Sequence, residues 1–574
     1  MFNSLPTGPA EIESISWNQI EPYFQDLYER KLTAENIESW LADWTRLDDL
    51  VSDCYARLNV AVTVDTTDER AETVFNNFLD QILPHYRAWD QKLKAKLLAS
   101  GLHPEGFDIP LKRMQTEASI FCEENLPLLS QERKLGAEYN RIIGAQTVIW
   151  QGEEKTLLQL RAVAQNPDRS VREQVWRLIA ARQLEDRQAI NALWTRMLRL
   201  RQELARNAGK PDYRAYRWKQ MLRLDYTPED CLQFHRAIEE VAVPAATRIY
   251  EKHRRRLGVD RLRPWDLDLD LYPIHIPALP SYGSIEVLVN TAGQIFRRLD
   301  PQLGEYFQVM QSERLLDLEN RKGKAPGGYC TAFPVSKRPF IFMNAVGLPA
   351  DVRTLLHEAG HAFHNFERFQ LPFAAQRSPG LEFSEVASMS MELLTAPYLS
   401  EEQGGFYSPK DAKSAQIVQL EHLLIFWPYM AVVDAFQHWV YQHPDLASDP
   451  SNCDAKWLEL WNRFIPGVDW SGLEDEAMTG WHRKQHIHRS PFYYVEYGLA
   501  QLGSVQVWAN ALQDPARALR QYRAALRLGG TVSLPELYAA AGAKFAFDVE
   551  TLQPAVTLVE NTITELENSP IKHQ

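Results

Sequence analysis

His357-Glu358-Ala359-Gly360-His361 sets two imidazoles four residues apart, with a carboxylate between them. On an α-helix, positions i and i+4 lie on one face, so both rings can meet a single cation. Neutral imidazole suits Zn²⁺. Glu358 falls beside that face, where it can take a proton from a water that the ion has acidified. The chemistry predicted is metal-assisted hydrolysis. Such a pattern arises by composition alone about once in forty chains of this size, so its surroundings must carry the assignment. They do: a helical run leads in from Asp351, and only the small pair Ala359-Gly360 separates Glu358 from His361.

A catalytic zinc takes three protein ligands and keeps one position open. Downstream, His364, Glu367, Glu382, Glu385 and Glu392 all offer donors. His364 points about 300° around the helix from His361, which suits the core or an outer contact. The stretch Gly380 to Glu392 reads as a second helix after the break at Ser378-Pro379-Gly380. On it Glu385 and Glu392 share one face, beside the small residues Ala387 and Ser388. The pair fits a ligand and a carboxylate that backs a histidine. Spacing alone equally allows a solvated acidic face.

The chain that must hold these two helices reads as helix almost throughout. Leu47, Leu50, Val51, Cys54 and Leu58 recur at helical spacing. Ser170-Val171-Arg172-Glu173 has the spacing of a capping box. Beyond it Ile190, Leu193, Trp194, Met197 and Leu200 form an apolar stripe, read as core, and Asn207-Ala208-Gly209-Lys210-Pro211 supplies a stop. An N-terminal helical lobe is expected over 1–190 and a catalytic domain over 191–574. Residues 264–283, with several prolines and alternating Asp and Leu, read as a loop-rich or short-strand connection. Ahead of the motif the pattern changes. Pro326-Gly327-Gly328 marks a turn, and Tyr329–Phe333 and Pro339–Asn344 are β-prone, which predicts a small sheet. The Pro339–Asn344 strand is expected to offer an edge on which a peptide backbone could pair.

With 574 residues, 45% apolar and 24% charged, the composition is that of a globular protein large enough for more than one lobe. A formal net charge of -13 repels phosphate backbones and argues against a nucleic-acid partner. The basic run Lys252–Arg256 is flanked by Glu251 and Asp260 and reads as a solvated helix face. Five scattered cysteines argue against a disulfide framework and against a thiolate zinc site, and point to a reducing compartment. The start of the chain lacks the pattern of a signal peptide, and no long uninterrupted apolar window suggests a membrane span. The cytoplasm is the expected location.

The run HEAGHAFH, with Glu385 in SEVAS 24 residues past His361, resembles the thimet oligopeptidase/oligoendopeptidase F family of metallopeptidases. Pro264–Leu267, Gly327–Cys330, Phe340–Asn344, Pro491–Gly503 and Leu534–Leu537 are similar to its oligoendopeptidase branch, so the resemblance covers roughly 190–560. It implies a mainly α fold: two helical lobes, a deep channel, and a small β-sheet next to the motif helix. It implies one zinc per chain on His357, His361 and Glu385, with Glu358 as base and Glu392 as an outer carboxylate. Short unfolded peptides are the implied substrates, cut at internal bonds. The family also uses a histidine and one or two tyrosines to hold the oxyanion. The matching region offers His486, His488, Tyr493, Tyr494 and Tyr497, with His486 preferred over His488.

Overall fold

The computed structural model describes residues 2–157, 159–161, 163–268, 272 and 279–569, and it is mostly helical. In chain order, the elements that matter here begin with strands β1 (Thr147–Trp150) and β2 (Glu153–Thr156) and helices α1 (Arg169–Glu185), α2 (Arg187–Asn207) and α3 (Pro228–Leu257). Strands β3 (Leu316–Glu319), β4 (Tyr329–Phe333) and β5 (Arg338–Ala345) follow. The remaining helices are α4 (Pro349–Arg368), α5 (Leu381–Thr395), α6 (Pro409–Gln442), α7 (Tyr494–Gln513) and α8 (Pro515–Leu528).

The chain forms two compact units, each assembled from three separate stretches. The first comprises Met1–Ala118, Leu279–Lys413 and Gly503–Phe545; the second comprises Ser119–Ala278, Ser414–Leu502 and Ala546–Gln574. The boundary expected at residue 190 does not coincide with this division. Ile190 lies inside α2, and both units draw on chain from either side of it. Compactness follows which apolar faces bury one another, and those faces need not be neighbours in sequence.

In the first unit the small sheet runs β3-β5-β4, with β3 parallel and β4 antiparallel to β5. The strand expected to be an edge, β5, is therefore the centre. Its run Pro339–Met343 is buried throughout, whereas β4 is half-buried over most of its length. A strand covered on both faces needs a continuous apolar run instead of alternation, and Pro-Phe-Ile-Phe-Met is such a run. The free edge on that side falls to β4. Behind its turn, Asn344 Nδ2 donates to the carbonyls of Ala325 and Gly327 at 2.7 and 2.8 Å. Gly327 there takes φ 99°, which a side chain would resist.

Helix α4 starts on Pro349, where a missing N–H costs nothing. The Asp351 carboxylate accepts from the backbone N–H groups of Val346, Gly347 and Leu348 at 2.8–2.9 Å, so the entry to the motif helix is locked. Tyr282 donates its hydroxyl to the same carboxylate at 3.0 Å. Val352, Leu355, Leu356, Ala359, Ala362 and Phe363 form the buried side of α4.

In the second unit the stripe on α2 is core as expected: Ile190, Leu193, Trp194, Met197 and Leu200 are all buried, and α2 ends at Asn207. The cap ahead of it is different. Asp168, not Ser170, caps α1 by accepting from the Ser170 N–H, because the helix begins two residues earlier than the Ser-x-x-Glu spacing suggests. Two strands, β1 and β2, form an antiparallel hairpin that the sequence reading did not pick out. Of residues 264–283, Pro264–Asp266 form a single 3₁₀ turn, while 269–271 and 273–278 lie outside the described residues. Helix α6 is long and apolar enough to cross a membrane by length and composition, but just over half of its most apolar stretch is buried inside the protein. Leu424, Trp427, Met430 and Val433 on it are core residues.

Candidate metal centre

Two helices make the centre, and their closeness depends on Gly360. A Cβ placed on Gly360 would lie 2.6 Å from Ser388 Cα and 2.7 Å from the Ala387 carbonyl oxygen, both backbone atoms of α5. Small residues on both sides let the backbones touch there. Tyr522 on α8 donates its hydroxyl to that same Ala387 carbonyl at 2.7 Å, which fixes α5 from behind.

That contact delivers Glu385, one turn before Ser388, to the two histidines. Glu385 Oε2 lies 3.5 Å from His357 Nε2 and 3.8 Å from His361 Nε2. The two rings stand 5.0 Å apart and nearly perpendicular. Ligands on one tetrahedral zinc, at bonds of about 2.0–2.1 Å, sit about 3.4 Å from one another. Among the described residues, His357, His361 and Glu385 form one of two groups that could hold an ion. The donor set and spacing fit zinc. His357 Nδ1 meets Glu392 Oε1 at 2.7 Å, so Glu392 sets the ring's tautomer and leaves Nε2 to face the centre.

Electrostatics agree with a cation site. Burial opposes charge on His357, but hydrogen bonds to Glu385 and Glu392 outweigh it and push its pKa up to about 10. Burial dominates at His361 and holds it down at about 4, a neutral donor. Burial alone would raise Glu385, yet its hydrogen bond to His357, and the charge that ring carries, keep its carboxyl below the usual value. Glu358 is different. It is 8% exposed, its Oε2 has no hydrogen-bond partner, and burial pushes its pKa up to about 7. A carboxylate poised near neutrality with an open oxygen is suited to take up and release a proton.

The other downstream donors are accounted for elsewhere. His364 is buried, edge-on to the Phe383 ring, outside the ligand group. Glu367 is fully buried and ion-paired to Arg523 and Arg527 of α8 at 2.8 and 2.5 Å. Glu382 is buried on α5 but is not among the three converging residues.

The oxyanion candidates lie in the second unit and form a cluster of their own. His486 sits 5.9, 4.9 and 6.1 Å from the rings of Tyr493, Tyr494 and Tyr497. Tyr494 is the buried member and carries the Lys484 ammonium 3.9 Å above its ring. His488 does not join them. It is core, stacked on Tyr139 at 4.4 Å and on Trp481 at 5.7 Å. The turn ahead of the tyrosines is held by residues that sequence reasoning missed. Phe492 adopts φ 64°, its N–H donates to Gln437 Oε1 at 2.8 Å, and its carbonyl accepts from buried Arg223 at 2.5 Å. Arg201, also buried, donates to the carbonyls of Ile487 and His488. Nothing local in the sequence marks these residues, because their burial and their carbonyl partners are set by tertiary packing.

Residues 162–553 match peptidase family M3, and residues 9–105 match the peptidase M3 N-terminal domain. The plasmid-borne oligoendopeptidase F of Lactococcus lactis subsp. cremoris is 23% identical over 343 residues, 57% of this chain and 52% of that protein. The oligopeptidase PepF of Bacillus subtilis (strain 168) is 22% identical over 326 residues, 54% of this chain and 46% of that protein. The matched region thus spans about half the length of these curated relatives. Among solved structures, PZ peptidase A with an inhibitor superimposes with a TM-score of 0.87 at 26% identity, over 98% of this chain and 99% of that one. A structure assigned provisionally to oligoendopeptidase F gives 0.85 at 27% identity, over 99% of each chain. With well over half its length matched, the chain belongs to peptidase family M3.

Proposed function

We propose that the protein is a zinc-dependent endopeptidase that cuts internal bonds of short, unfolded peptides. The observation that carries this reading is the convergence of His357 Nε2, His361 Nε2 and Glu385 Oε2 beside the unpartnered Oε2 of Glu358. His357, His361 and Glu385 would hold one zinc per chain, which when bound supplies a Lewis acid that polarises a peptide carbonyl and acidifies water. Glu358 takes the proton of the attacking water and returns it to the departing amine. Glu392 keeps His357 in the tautomer that faces the centre. His486, held neutral at about 3 by burial and by the nearby charges of Lys484 and Arg489, serves with Tyr493 and Tyr497 as a donor toward the oxyanion, and Tyr494 supports that cluster. The outer edge of β4 is the place where an extended substrate backbone would pair.

The preference for short peptides is taken from relatives named as oligoendopeptidases and oligopeptidases. Five cysteines without disulfides are consistent with a cytoplasmic setting. The test pairs metal analysis with cleavage-site mapping on a mixed library containing N-terminally blocked peptides, for wild type and Glu358→Gln. Wild type should cleave blocked peptides internally. The variant should keep its zinc and lose about 10²–10⁴-fold in kcat, the range for a general base. Near-normal turnover by Glu358→Gln would sink the mechanism, and cleavage confined to free N-termini would make the protein an aminopeptidase.

A further inference from the structure

A second group of metal-binding side chains lies in the second unit, on helices α3 and α6. Cys231 and His235 stand four residues apart on α3, and Asp434 and His438 four apart on α6, so each helix presents two donors on one side. One donor atom from each of Cys231, Asp434 and His438 lies within 4.8 Å of the others. His235 Nε2 is 2.9 Å from Asp434 Oδ2, and His438 Nε2 is 3.3 Å from the same oxygen. Cys231 and Asp434 are 0% exposed and His438 1%.

Hydrogen bonding inside the group does not satisfy it. His438 Nδ1 has no hydrogen-bond partner, and neither has Asp434 Oδ1. The rings of Trp218 and Phe492 lie 5.8 and 5.1 Å from that of His438, so the wall beside it is aromatic. Unpaired polar atoms in such a setting are costly and call for a partner. A neutral imidazole and an ionised carboxylate are the forms that bind metal. A thiolate and a carboxylate together carry the charge that one divalent ion cancels, and zinc accepts sulfur, nitrogen and oxygen in one shell.

We propose that Cys231, Asp434 and His438 bind a second, structural zinc ion, with His235 hydrogen-bonded to Asp434 to fix the carboxylate. The site is too buried for a substrate, so its work is to brace α3 against α6. It lies beneath the turn that leads to the tyrosines: Phe492 packs on His438, and Gln437, next to His438, holds the Phe492 N–H. The centre on α4 and α5 has only nitrogen and oxygen ligands, so sulfur bound to zinc reports the second site alone.

The experiment is zinc analysis with zinc K-edge X-ray absorption on the full-length protein, stripped of loosely held metal on a chelating resin. Wild type should carry two zinc ions per chain, with a sulfur neighbour at about 2.3 Å. His361→Ala should keep one ion, and the sulfur share per zinc should double. Cys231→Ser should lose the sulfur signal. One zinc per wild-type chain in a shell of nitrogen and oxygen only would make the group a hydrogen-bonded cluster and overturn the proposal. A sulfur signal unchanged in Cys231→Ser would also overturn it. Should Cys231→Ser not fold, wild type against His361→Ala decides by itself. Absence of peptidase activity in a protein with zinc-bound sulfur would count against the catalytic reading and leave this one standing.

Discussion

Gly360→Ala puts the helix contact at the centre of the site to a direct test. Helix propensity alone favours the change: Ala in a helix interior is worth about 1 kcal/mol over Gly. The contact with α5 opposes it. The new Cβ would start 2.6 Å from Ser388 Cα and 2.7 Å from the Ala387 carbonyl oxygen, and ordinary contact begins near 3.4 Å. Both are backbone atoms, so α5 itself must retreat, by about 0.8 Å. Overpacking of this kind typically costs about 1–3 kcal/mol, enough to cancel or reverse the propensity gain. Glu385 stands one turn from Ser388 on the same helix and must follow. A metal site tolerates about 0.2 Å in its ligand positions, so the displacement is some four times too large. Zinc affinity should fall by about 100-fold or more, equivalent to about 2.7 kcal/mol. The assay is competition for zinc against a chromophoric chelator, with denaturant unfolding of the metal-free protein alongside. A variant that binds zinc as tightly as wild type and unfolds at higher denaturant would refute the close-approach reasoning.

Other perturbations separate the roles. Glu392→Ala leaves His357 Nδ1 without its 2.7 Å partner and should weaken zinc binding about 10–100-fold in the same competition assay, with the fold intact. Tyr497→Phe and His486→Ala should each leave zinc content unchanged while lowering kcat by about 100-fold, the usual loss for one oxyanion donor; steady-state kinetics with metal analysis on the same samples decides. Stability should depend on His488 at acid pH. Burial, with Arg201 beside it, holds this ring at about 3, whereas an unfolded chain protonates near 6.5. The unfolded state therefore binds the extra proton, and stability is lost as pH falls below about 6.5 and onward toward 3, by about 1.4 kcal/mol per pH unit. His488→Gln should flatten that slope in unfolding curves taken between pH 6 and 4.

Whatever depends on near neighbours along the chain was readable from the residues. The i, i+4 spacing already put His357 and His361 on one face. The apolar stripe of α2 follows from the helical period of 3.6, and the β4–turn–β5 hairpin from two β-prone runs close together in the chain. Which faces then meet is a property of the whole packed chain. Spacing left five donors open as the third ligand. The resemblance favoured Glu385, and packing explains why: Glu367 is taken by two arginines of α8, and His364 is turned into the core. Likewise His486 and His488 differ by two positions in sequence, but one joins the tyrosines and the other stacks on Tyr139. The strand read as an edge became the centre of its sheet, since pairing on both sides is decided by β3 and β4 arriving from elsewhere in the chain. Scattered cysteines spoke against a thiolate site only in one dimension. Cys231 finds Asp434 and His438 some two hundred residues away because two helices bury their apolar sides together, and no local period records that meeting.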